Sequence, residues 1–130
     1  MREYPQSYLI RFARGSCYLF ALARAAEKLT GKELSAHNVL DVALTSRYIA
    51  DDGYVRNAAA FLSEITDKKW TVTKTYEDAP SYKGSITIDH WSDRHGHDHF
   101  RLADWDSLYS KSQAEAEGRI IDRRIVSLRN

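Results

Sequence analysis

The chain reads as an α+β domain, with helices from its N-terminal half packed on an antiparallel sheet from its C-terminal half. Three observations carry this. Apolar residues recur at helical spacing as far as Ile65 and at alternate positions from Trp70 onward. Helices come first and strands second, without the strand–helix–strand alternation that builds a parallel sheet. Finally, 130 residues with 43% hydrophobic content suffice for one core, and no linker, repeat or low-complexity stretch divides them, so residues 1–130 are read as a single domain.

After a lead-in with an extended piece around Tyr8-Leu9-Ile10, the first helix is predicted from about Cys17 to Thr30. Tyr18, Leu22, Ala25 and Leu29 form its apolar stripe, Arg24, Glu27 and Lys28 lie on the other side, Ser16 is a good N-cap and Gly31 a good stop. A second helix follows Ser35 as cap, with Ala36, Val39, Leu40, Ala43 and Leu44 on one face, ending before Tyr48. Asp51-Asp52-Gly53 is a turn, and Asn57 caps a third helix in which Ala58, Phe61, Leu62 and Ile65 share a face. Strands are predicted at Trp70–Tyr76 and Ser85–Trp91, the latter with Ile86 and Ile88 pointing one way. Two more are predicted, opening at His99 and running from Arg119 to Leu128.

A net charge of +1 gives no electrostatic case for nucleic acid or an anionic membrane, and the late arginines Arg119, Arg123, Arg124 and Arg129 read as a solvated sheet face. No apolar run is long enough to span a bilayer, and Met1–Pro5 lacks the regions of a signal peptide, so a cytoplasmic protein is expected. Cys17 is the only cysteine, which excludes an internal disulfide and suits a reducing compartment.

Chemistry centres on that cysteine. In the first turn of a helix, unpaired N–H groups and the positive end of the dipole favour a thiolate, the nucleophilic form. A cysteine nucleophile needs an oriented base, and the chain offers His37, His90, His95, His97 and His99. His37, just inside the second helix, reads as structural or solvent-facing. Tyr18, Trp91 and Trp105 read as core aromatics before groove-lining ones, and Asn57 as a cap before a catalytic amide.

Gly15-Ser16-Cys17-Tyr18, followed by small and aromatic residues, resembles the signature around the nucleophile of papain-like cysteine peptidases. His99-Phe100-Arg101-Leu102 resembles the histidine-led strand of the same superfamily. Within it the chain resembles a family of small proteins from spirochaetes and phage-like elements, domain of unknown function 261. That likeness rests on Gly15 to Glu27, Asp52 to Asn57, His99-Phe100, Asp104 to Leu108, Ser112, Gly118 to Ile120 and Arg124-Ile125. It implies a minimal papain-like fold and a cysteine peptidase or amidase that cuts a peptide or amide bond through a thioester, with no cofactor. Carried onto this sequence, Cys17 attacks, His99 faces the cleft as base while Phe100 faces the core, and Asp106 orients the imidazole, with Asp104 the alternate. The oxyanion hole combines the Cys17 N–H with a side-chain donor; the family pattern places a glutamine a few residues before the cysteine, where this chain has Arg11, and Gln6 lies further off.

Two other readings stand beside this one. The fold can serve as a non-catalytic domain that binds a peptide or protein in the cleft. Alternatively His95, His97 and His99, interleaved with acidic residues, can place alternate rings on one strand face for zinc.

Overall fold

The computed structural model describes residues 17–50, 54–77, 84–93, 95–96, 98–103 and 118–129. They form three helices and a four-stranded antiparallel sheet: α1 Cys17–Thr30, α2 Ala36–Thr45, α3 Ala58–Thr66, β1 Lys69–Thr75, β2 Ser85–Asp93, β3 Asp98–Leu102 and β4 Gly118–Arg129. The predicted α+β class and all seven elements are present. Ser16, Tyr8–Ile10 and the Asp51–Gly53 turn lie outside the described residues.

Each helix ends where its sequence directs. Gly31, at φ 70°, donates its N–H to the Glu27 carbonyl at 2.9 Å and closes α1 in the left-handed region that glycine enters without cost. The Ser35 hydroxyl accepts from Asn38 N at 3.3 Å to cap α2, and the Asn57 side chain accepts from Ala60 N at 3.1 Å to cap α3. Asn57 is thus a cap, as its position predicts. Asp67, at φ 58°, turns the chain from α3 into β1, where Trp70 Nε1 donates to Thr66 Oγ1 at 2.7 Å.

Strand order is β1-β4-β2-β3, so β4 lies between β1 and β2. Register then sorts the side chains by parity. Directly opposed pairs are Val72 with Val126, Ile86 with Val126, Ile88 with Leu102 and His90 with Phe100. Side chains alternate along a strand, so the even-numbered residues share one face. That face meets the helices: Ile86, Ile88, Leu102, Val126 and Trp70 join Leu19, Leu22, Ala25, Ala26, Phe61 and Leu62 in one core. Fully buried side chains such as Phe61 and Leu22 each contribute roughly 2–3 kcal/mol by leaving water. The odd face is not a solvated one. Ser85, Thr87, Asp89 and Trp91 are buried there, and Arg123 reaches Asp89 at 3.5 Å. Arg124, on the helix side, pairs with Asp122. Two of the arginines expected in solvent are therefore ion-paired and mostly buried, because each faces a carboxylate in the sheet.

Candidate functional site

The site lies at the end of the sheet over which α1 begins. The apolar row of the helix face gives way there to Lys74, Arg124, Asp122, His90 and Asp98, all of even parity. Tyr18, one residue into α1, stacks on Phe100 at 4.4 Å between ring centres, and Phe100 stacks on His90 at 4.2 Å. The second contact is close for a structural reason. Ala103 donates to the Thr87 carbonyl at 2.9 Å, so odd-numbered residues of β3 turn their backbone groups toward β2. His90 and Phe100 then form a non-hydrogen-bonded pair, the kind in which side chains approach most closely. The Arg124 guanidinium lies 5.4 Å from the Tyr18 ring centre and 5.7 Å from that of Phe100.

The same alternation sends the backbone groups of Asp98 and Phe100 outward, toward Cys17. The thiol lies 4.0 Å from the Asp98 carbonyl oxygen. Backbone N–H groups of Phe100, Tyr18 and Cys17 point at the sulfur. Burial nevertheless pushes the thiol above its ordinary value; these N–H groups oppose the rise and the Asp98 carboxylate adds to it. The expected preference of the first helical turn for a thiolate is thus outweighed in the resting protein, since β3 and its carboxylate pack over the helix end.

His99 is placed away from this cluster. It pairs with Trp91 across the ladder and stacks on that ring at 4.5 Å, on the odd face of the sheet. Its Nε2 lies 3.3 Å from Asp93 Oδ2. Cys17 and His99 share no hydrogen bond; Phe100 packs against the core as expected, and it, not His99, lies on the face toward Tyr18 and Cys17. Gln6, Asp104, Trp105 and Asp106 lie outside the described residues, as does His97. Among the described residues no three metal-ligating side chains gather. His37 is exposed on α2.

The imidazole on the Cys17 side is His90. Its Nδ1 meets Asp122 Oδ2 at 3.0 Å, and Asp122 is 2% exposed. Its Nε2 is buried without a hydrogen bond, and the Asp98 carboxylate stands 3.5 Å from it at ion-pair distance. Asp122 also contacts Arg124 and, at 3.7 Å, Lys74. One ring nitrogen is therefore held by a buried carboxylate, which is how a catalytic imidazole is oriented, and the other is buried beside the Asp98 carboxylate. Asp98 joins the two halves, its carbonyl at the thiol and its carboxylate at the imidazole. The register helps to aim His90: pairing of β2 with β4 shifts between His90, opposite Asp122, and Trp91, opposite Ile120.

From sequence, His90 stands among the possible bases and in the histidine cluster rather than as the chosen base, and Asp122 carries no signal, but one for His90 exists. Continuing the Ile86, Ile88 alternation by one step puts an imidazole on the apolar face.

The fold and site define an α+β chain in which a helix-borne thiol meets an antiparallel sheet carrying a carboxylate-held histidine. Comparison with known proteins found no matching family model, curated protein or solved structure. No described helix is long and apolar enough to cross a membrane.

Proposed function

We propose that the chain is a papain-like, thiol-dependent hydrolase of peptide or amide bonds, with Cys17 as nucleophile and His90, oriented by Asp122, as its base. The observation that carries this is the His90–Asp122 pair, whose Nε2 makes no hydrogen bond, on the face of the sheet that meets the first turn of α1. Cys17 gives its proton to His90 Nε2 while the sulfur attacks the carbonyl carbon. The C–N bond then breaks as His90 returns that proton to the departing amine, leaving a thioester. Water gives a proton to His90 and attacks the thioester, and Cys17 leaves with that proton as the acid product is released. A donor such as the Cys17 N–H stabilises the oxyanion, with Gln6 the side-chain candidate from sequence. His99 with Asp106 or Asp104 is the pairing that the family resemblance favours, and the test below separates the two histidines.

The test is the pH dependence of Cys17 alkylation by iodoacetamide in wild type, His90→Ala and His99→Ala. The expected result is a rate at neutral pH that drops roughly tenfold or more in His90→Ala and stays unchanged in His99→Ala. A fall confined to His99→Ala assigns the base to His99. Indifference to both removes the hydrolase reading.

A second reading is a non-catalytic papain-like domain that holds a peptide or protein partner. It is favoured by the thiol's upward shift and by the absence of a hydrogen bond from Cys17 to either imidazole.

A further inference from the structure

A cavity of about 550 Å³ opens between α1, α2 and β3, with Cys17 in its wall. Its lining is mostly apolar, from Phe20, Ala21, Leu34, Val39 and Leu102, and small residues make the hollow: Ala21, Ala23 and Ala36 each leave room that a larger side chain would fill. Of the charged groups on its wall, the Glu27 carboxylate is engaged by Leu34 N–H at 3.1 Å, which ties the loop before α2 to α1. Phe20, at the lining, is 43% exposed and extends the apolar surface at the mouth of the cavity.

We propose that this cavity receives the large apolar side chain, such as that of leucine or phenylalanine, of a peptide acyl donor whose carbonyl carbon stands at Cys17. The assignment rests on the thiol-hydrolase reading and supplies its substrate class. The volume is in the range of roughly 300–1,000 Å³ that encloses small ligands, and a hollow of this shape selects by burying apolar surface. Its border with β3 adds a main-chain element. Even-numbered residues of β3 direct backbone groups outward; those of Asp98 and Phe100 meet Cys17, and the side chains of Phe100 and Leu102 line the cavity. Cys17 thus sits where β3 borders the hollow.

The experiment measures rates of Cys17 alkylation by N-acetyl-aminoacyl chloromethyl ketones of leucine, phenylalanine, glycine and aspartate, and by N-octyl iodoacetamide, each divided by its rate with glutathione. In the ketone reaction sulfur replaces chloride on the methylene carbon, chloride departs and the thiol proton passes to buffer. The leucine and phenylalanine probes are expected to react about tenfold faster than the glycine probe, the discrimination an apolar pocket provides. Ala36→Trp, a change at the exposed start of α2, is expected to abolish that ratio, each probe's rate being divided by the variant's own iodoacetamide rate, while leaving the circular dichroism unchanged. Leu34→Ala, which widens the hollow, is expected to keep the ratio and shift it toward phenylalanine. Equal glycine and leucine rates in wild type overturn the assignment. A faster aspartate probe overturns it in favour of an anionic side chain, and a faster octyl probe in favour of an alkyl chain. The ratio reads the cavity independently of the base. A thiol coupled to His90 but without selectivity sinks the cavity assignment alone, whereas selectivity with a thiol indifferent to both histidines sinks the hydrolase reading and keeps the cavity's preference.

Discussion

Tyr18 shows how strongly burial governs the side chains around the thiol. Desolvation pushes its phenol up to about 12, with Arg124 opposing the rise and Asp122 adding to it. The neutral phenol is therefore favoured in the folded state, whereas the unfolded chain releases the proton near 10. This contribution to stability is fully present below pH ~10 and is lost as pH rises through about 12. Urea unfolding across that window should show wild type losing up to about 2 kcal/mol more than Tyr18→Phe; parallel curves would refute the shift. Individual residues were unequally legible. The place of Cys17 follows from the periodicity of α1, but its titration does not, because desolvation depends on β3 docking eighty residues later in the chain. The sequence places His99 toward Cys17 because it opens an apolar strand. Histidine and phenylalanine alternate there, and only the register with β2, Trp91 against His99 and His90 against Phe100, decides which of them meets α1.

Elements were read more reliably than the order in which they pair. Three helices emerge, α2 and α3 at their predicted caps, and four strands at their predicted alternations, since caps and periodicity are local signals. That β4 inserts between β1 and β2 has no local signal, because it depends on which long strand best matches both neighbours. One residue of β4 bears the mark of that insertion. A Cβ on Gly118 would stand 2.0 Å from the Ser92 carbonyl oxygen and 2.8 Å from the Asp93 Cα, both of them backbone. Gly118→Ala should therefore cost roughly 1–3 kcal/mol, read as a lower urea midpoint, and should speed amide exchange at the end of β2. A midpoint equal to wild type would mean that the two strands separate freely at this end.

Across the whole molecule, Asp122 ties three strands together: Lys74 of β1, His90 of β2 and Arg124 of β4 all converge on one carboxylate that is 2% exposed. Lys74 is itself 47% exposed and adds little, so the weight falls on His90 and Arg124. Asp122→Asn should lower unfolding stability by roughly 2–4 kcal/mol, because buried partners lose their counter-charge. It should also bring the Cys17 alkylation profile close to that of His90→Ala. An unchanged midpoint would show that the cluster is held by packing alone. The carboxylate comes from the strand that enters the sheet interior last in chain order. A chain emerging from the ribosome thus exposes Cys17 and His90 well before residues 118–129 are made, and at that stage no sheet joins the two. Until that central strand is made, Lys74 and His90 both lack the carboxylate they meet in the folded sheet, so the order of synthesis leaves the charge cluster to be completed last.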